Sequence, residues 1–269
     1  MKTKTELFYL FDRGIARALF TREFRLALIN HYFHVFAALA LIGGIAAALF
    51  SEDANATGFF HLQLALYFVS LFAVLTGVGS AQAEREEWQL LFTQPLPRSS
   101  YVIGKFFALV SIFAGVLLLL FLPPLFAGAN MRMLALLYLQ TLLLAATFLA
   151  CGLTAGYFAH DRAQALIISV SAWLLLLFGV DLIALFAARW SGIQKFPDLW
   201  VALLMLNPLD SFRIEALFAL QQIPAEAANK TPLAGWWTAH AGVWFAGMAV
   251  VWSGAMVMLA SLRMGRWEE

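Results

Sequence analysis

Residues 81–106 read AQAEREEWQLLFTQPLPRSSYVIGKF and stand between two long apolar runs. They form the one dense polar stretch in the interior of the chain, too charged to sit in hydrocarbon. Within it, Glu84 and Glu87 fall near one face of a short helix, while Trp88, Leu91 and Phe92 make an apolar ridge. Pro95 and Pro97 then turn the chain, because proline removes a backbone donor and crowds the preceding turn. Gly104-Lys105 leads into the next apolar run. Such an element can rest one face on a membrane and offer the other to a soluble partner.

The surrounding sequence says which membrane architecture this is. Of 269 residues, 62% are hydrophobic and only 12% charged, against about 25% charge in soluble domains. Mean hydropathy is +0.81. An all-α integral membrane protein follows. A span needs roughly 20 apolar residues to cross ~30 Å of hydrocarbon, and six runs qualify, at 33–50, 58–80, 106–128, 133–157, 165–187 and 239–261. Pro123-Pro124 should kink or end the third. Residues 33–269 then make the transmembrane domain, preceded by a cytoplasmic interfacial helix and elbow over 1–32. In 6–19, Leu7, Phe8, Phe11, Ile15, Ala18 and Leu19 share one face, with Glu6, Arg13 and Arg17 opposite, the pattern of a helix lying in the interface. Thr21 to Arg25 reads as the elbow.

Six spans put both termini on one side, and that side also holds 81–106. Twelve of the 17 Lys and Arg fall there, and Arg132, Arg189, Lys195, Arg213 and Lys230 fall on the other. By the positive-inside bias, both termini and 81–106 are cytoplasmic. Trp190, Trp200, Trp236 and Trp237 suit an outer aromatic belt. Between spans five and six, residues 188–238 contain PDLWVALLML and NPLDSFRIEALFALQQIP, segments too short to cross and more suited to re-entrant helices. Asp210 reads as a helix N-cap there.

Catalytic motifs are missing. There is no H-E-x-x-H, no G-x-S-x-G and no phosphate-binding G-x-x-x-x-G-K-[ST], since Lys105 is followed by Phe106. The chain is therefore read as a non-catalytic subunit that binds no cofactor itself. A net charge of +1 gives no sign of nucleic acid, and a lone Cys151 excludes a disulfide framework. Asp181 is the one carboxylate embedded in an apolar run. It is either a functional intramembrane group or a residue that reaches the outer interface to pair with Arg189 or water. His31 and His34 share a helix face, as metal ligands or as interfacial residues. Gly152-x-x-x-Gly156 permits close helix packing without naming the partner.

E-x-E-x-W-Q-L-L-F-T-Q-P-L-P-R-S-S-Y-V-I-G-K resembles the signature of ABC-2-type permeases, in which an acidic run leads into a Thr-x-Pro-x-x-Arg segment and a Gly-Lys pair. Glu84, Glu86, Glu87, Leu90, Leu91, Thr93, Pro95, Arg98, Gly104 and Lys105 carry the match. The resemblance implies a permease homodimer in a bacterial inner membrane, among membrane lipid, driven by a separate cytoplasmic ATPase dimer that holds ATP and Mg. Glu84, Glu86, Glu87, Trp88, Pro95, Arg98 and Lys105 would then be the ATPase-coupling residues. Asn207, Pro208, Asp210, Phe212 and Arg213, in NPLDSFRI, are similar to a stretch in the permeases of copper-processing ABC transporters that mature nitrous-oxide reductase. That implies a sulfur or copper species as cargo for the copper–sulfide centre, and a periplasmic accessory protein at 188–238. An ABC-2 exporter of a drug, lipid or polysaccharide is the alternative, and an intramembrane enzyme built on Asp181 a different one.

Overall fold

A computed structural model describes residues 13–29, 31–50, 54–83, 98–187, 197–220 and 231–265. Among them there are helices and no strands. We number the helices α1 (Arg13–Ile29), α2 (His31–Phe50), α3 (residues 54–83), α4 (Arg98–Phe126), α5 (Met131–Phe158), α6 (residues 162–187), α7 (Pro197–Leu206), α8 (Pro208–Ala219) and α9 (Pro232–Gly265). Six of these are long and apolar enough to cross a membrane, over Phe33–Phe50, Asn55–Ala83, Ser99–Phe126, Met131–Phe158, Arg162–Ile183 and Pro232–Met264. The all-α, six-span fold is therefore the observed one, with two short helices, α7 and α8, between the fifth and sixth spans.

The central helix is α5, whose Leu137, Leu144, Phe148, Leu149 and Leu153 are almost wholly buried. It meets its neighbours by two different chemistries. Toward α3, a Cβ on Gly152 would stand 2.2 Å from the Val74 carbonyl oxygen, and one on Gly77 2.5 Å from that of Leu149. Only bare backbone fits at this crossing, so the Gly152–Gly156 pair packs α5 on α3. Toward α9, Thr154 Oγ1 donates to the Met256 carbonyl at 2.8 Å, and Thr147 Oγ1 approaches that of Ala249 at 3.4 Å.

Irregularities in the helices each find a side-chain partner. Pro124 has no N–H for the Leu120 carbonyl, and His61 Nε2 lies 3.2 Å from that oxygen, with His61 Nδ1 2.7 Å from the Thr57 carbonyl. A neutral ring donates to one of them only. Gly44 lets α2 approach the same place, where a Cβ would sit 2.6 Å from the Leu119 oxygen. Both prolines lie inside α4, which runs past them to Phe126 and is followed by Gly128 at φ 93°. Two π-helical turns, Leu64–Val69 in α3 and Leu175–Gly179 in α6, also break the regular ladder. Ser70 Oγ back-bonds to the Leu66 carbonyl and accepts from Trp173 Nε1 at 2.9 Å, tying α3 to α6.

Two expectations need correction. Thr21–Arg25 is not an elbow, because α1 runs through it unbroken to Ile29. No Gly or Pro stands between Ile15 and Ile29, and Glu23 turns inward from the middle of the helix. Trp237 is not part of a belt either, being 4% exposed against Met205 and Ala241. Asn30 and residues 1–12, including Leu7, Phe8 and Phe11 of the expected interfacial face, lie outside the described residues.

Replacing Gly152 by Ala should destabilise the protein by about 1–3 kcal/mol through overpacking. Gly115→Ala and Gly254→Ala, where an added Cβ meets nothing within 4 Å, should leave the melting temperature in detergent unchanged or raise it. Equal melting temperatures for all three would show that the α3–α5 crossing is not close.

Candidate functional site

The polar chemistry gathers at two opposite ends of the bundle. At the end that holds α1, Lys105 of α4 is 1% exposed and its Nζ lies 3.3 Å from Glu23 Oε1, itself 2% exposed. Ser80 Oγ of α3 donates to Glu23 Oε2 at 3.4 Å. Lys105 Nζ stands 5.8 Å over the Tyr101 ring, and Arg22 Nη1 donates to the Tyr101 hydroxyl at 3.3 Å. Thus α1, α3 and the first two turns of α4 share one buried polar cluster. Taking two charges out of water is worth doing only when each is well partnered. The hydroxyl, the ring and the second charge provide that here.

Lys105 thus points into the bundle and not outward to a soluble surface. Glu23, its partner, carried no motif in the sequence and was read merely as part of an elbow. The signal available was a single acid among the basic residues Arg17, Arg22 and Arg25, facing a Lys 82 residues later. Arg98 is the first residue of α4. Glu84, Glu86, Glu87, Trp88 and Pro95 lie outside the described residues.

At the other end, NPLDSFR folds as the start of α8. Asn207, not Asp210, is the N-cap: its Oδ1 accepts from Leu209 N at 3.1 Å, with Pro208 in the first helical position. Asn207 Nδ2 donates at 2.6 Å to the Leu176 carbonyl, freed by the π-helical turn of α6, and at 2.6 Å to Asp210 Oδ2. Asp210 sits a turn into α8 and pairs with Arg213. Arg213 also reaches Asp181 of α6, with Nη1 3.2 Å from Oδ2 and Nη2 3.3 Å from Oδ1. Phe212 is wholly buried and packs on Phe245 of α9 at 5.5 Å. The motif and Asp181, separate in the sequence, are one cluster.

Asp181 therefore pairs with Arg213, an arrangement closer to the interfacial reading than to an isolated intramembrane acid; Arg189 lies outside the described residues. Burial pushes the Asp210 carboxyl up to about 6, with Arg213 opposing and Asp181 adding to the rise. His160 precedes the first turn of α6 and Asp181 follows its π-helical turn, so the two stand at opposite ends of that helix and share no site.

A cleft of about 420 Å³ opens between α2, α3 and α6, walled by Phe33, Phe72, Leu75 and Leu166, with Gln82 and Arg162 on its lining.

Over residues 34–266 the sequence matches the family model described as ABC-2 family transporter protein. This chain belongs to the ABC-2 transporter family. Comparison with curated proteins returns no match. As an ABC-2 protein it is a permease subunit of an ABC transporter and a multi-pass membrane protein. The matched region takes in all six spans but for Phe33, and the α7–α8 pair.

Glu23→Gln and Lys105→Met should each destabilise this ABC-2 permease by about 3–5 kcal/mol, because each strands a buried charge. The double variant Glu23→Leu with Lys105→Met should recover most of that loss in thermal unfolding. Additive losses would show that the two charges do not face each other. Arg213→Met should raise the Asp210 midpoint above about 6, since the main opposing charge is gone; an unchanged midpoint would contradict the pairing.

Proposed function

We propose that this chain is the membrane half of an ABC transporter whose ATP is hydrolysed on a separate cytoplasmic ATPase dimer, with two copies of the permease side by side in a bacterial inner membrane. Residues 84–98 would be the coupling helix, seated in a groove of the ATPase. The observation that carries this reading is the buried Glu23–Lys105 pair immediately beyond that segment. Displacement of 84–98 by closing ATPase domains reaches α4 at Arg98, and the ion pair passes it to α1 at once. Glu84, Glu86, Glu87, Trp88, Pro95 and Arg98 act at the ATPase surface in this scheme. Lys105 acts inside it, as the link between α4 and α1. The coupled side is the cytoplasmic one by the Lys and Arg bias, and the α8 end then faces the periplasm.

For the cargo, the Asn207–Arg213 segment supports the copper-processing system that matures nitrous-oxide reductase. In that reading the α7–α8 end meets a periplasmic accessory protein and the transported species contains sulfur or copper. The cleft walled by Phe33, Phe72, Leu75 and Leu166 favours a second reading, an exporter of an amphiphile such as a lipid or drug. Its apolar walls suit a hydrocarbon tail, and Arg162 suits an anionic head.

Glu87→Arg and Arg98→Glu should each lower recovery of the cognate ATPase in a pull-down by at least tenfold while the permease still reaches the membrane. Full recovery with both reversals would remove the coupling role from 84–98. Deleting the gene should leave nitrous-oxide reductase without its copper–sulfide absorption bands; an intact spectrum would favour the amphiphile.

A further inference from the structure

The coupling scheme and the Asp181–Arg213–Asp210 cluster leave one buried acid without a role. Glu215 lies on α8, 6% exposed, and its Oε2 has no hydrogen-bond partner. One turn earlier on the same helix, Ser211 is fully buried with an unpartnered Oγ. Across the helix contact on α5, Gln140 is 5% exposed with an unpartnered Oε1, and its side chain favours the ionised form of the Glu215 carboxyl. Few buried polar atoms go without a partner in a folded protein, and three of those that do lie on the packed helices α8 and α5. Glu215 Oε2 is an acceptor only when the carboxylate is ionised, and no donor reaches it. Protonation removes the charge from this buried, unstabilised atom.

The third wall is α9. A Cβ on Gly242 would stand 3.2 Å from Glu215 Oε1, so a glycine is what leaves the carboxyl its seat. Gly242 is itself exposed, which puts the carboxyl one residue below the surface of the protomer. Two residues before it, α9 leaves helical geometry at His240 (φ −125°, ψ 17°). Broken helices at membrane depth are tolerated where they line a site or cavity.

We propose that Glu215, with Gln140 and Ser211, is a proton-binding site of the permease, occupied while α8 lies against α5 and α9 and emptied when α8 moves away into water. The reaction is simple addition of a proton to the carboxylate, forming one O–H bond. Among the described residues, no charged group acts on this carboxyl. On α8, Asp210 and Arg213 pair with each other and Arg213 also with Asp181 of α6. His61 of α3 faces two backbone carbonyls. His240 of α9 and Asp198 of α7 are exposed. On α5, Arg132 lies in the first turn and the Tyr138 hydroxyl donates to the Ala114 carbonyl.

Burial raises the carboxyl from the ordinary 4.5 to about 7, with the Gln140 hydrogen bond pulling the other way. Because the raised value belongs to the packed arrangement, packing of α8 is most favoured below about 4.5. It weakens by up to tenfold per pH unit as pH rises to about 7, and is level above that. Each opening of the α8 end near neutral pH then releases a proton.

Difference infrared spectroscopy on the full-length permease in lipid nanodiscs, titrated from about pH 5 to about 9, tests this. A carboxylic-acid carbonyl band with a midpoint near 7 should be present in the parent and in Asp210→Asn, and lost in Glu215→Gln, which keeps the shape and removes the proton. Gln140→Leu should move the midpoint upward, because the bond that favours the ionised form is gone; a merely structural role for Gln140 would leave it in place. A midpoint near the ordinary 4.5, or a band near 7 that survives Glu215→Gln combined with Asp210→Asn, would overturn the proposal. A midpoint that shifts with sodium or potassium concentration would assign the site to a metal cation and overturn it equally.

Discussion

The Glu23–Lys105 ion pair is the interaction on which the α1 end of this permease depends. Both side chains are out of water, where desolvation costs several kcal/mol per ion and is recovered only by good partners. The pair therefore adds little net stability, and its effect is to fix register. Only one placement of α1 lets Glu23 meet Lys105 and Ser80 while Arg22 reaches the Tyr101 hydroxyl. That placement makes α1 part of the transmembrane body. It also explains why α1 stays helical through Thr21–Arg25, since a turn there would carry Glu23 away from its partner.

The α8 end is held differently. A membrane helix must satisfy its own backbone, and this bundle departs from that rule in four described places: two π-helical turns, the Pro123-Pro124 pair and the His240 kink. Three of them have a polar side chain beside them: Ser70 at the first, Asn207 at the second and His61 at the third. At the fourth, His240 Nδ1 lies 2.9 Å from the Trp236 carbonyl. Asn207 is the busiest of these residues. It caps α8, serves the freed Leu176 carbonyl of α6 and holds Asp210 for Arg213. Beside these single hydrogen bonds, Arg213 pairs with Asp210 and Asp181, and both Arg213 and Asp181 keep contact with solvent. The α8 end is thus easier to rearrange than the wholly buried Glu23–Lys105 pair.

The spans were legible in the sequence because hydrocarbon imposes length and composition directly, and the runs at 33–50 and 133–157 match the observed helices closely. The short α7 and α8 were legible for the same reason, being too short to cross. Pairings were not. Glu23 looks like one more charge in a basic segment, and nothing local marks its partner 82 residues away. Asp210 has the right chemistry for an N-cap, yet Asn207 precedes a proline that fixes the first helical position, and Asn wins. Asp181 and Arg213 each appeared in the reading, but only the fold brings α6 and α8 together. Glu215 carries no local signal of its burial, because in sequence an acid on a short amphipathic helix resembles a solvated one.

The family places this chain as a permease subunit of an ABC transporter, and its geometry locates the rigid part. If α1 and α4 move as one body, spin labels at Ala18 of α1 and Phe107 of α4, both exposed positions, should report a single distance by pulsed electron resonance. In the transporter assembled with its ATPase, that distance should be the same without nucleotide, with ATP trapped and after hydrolysis. A distance distribution that widens or shifts by several ångströms on ATP binding would contradict the rigid coupling of α1 to α4.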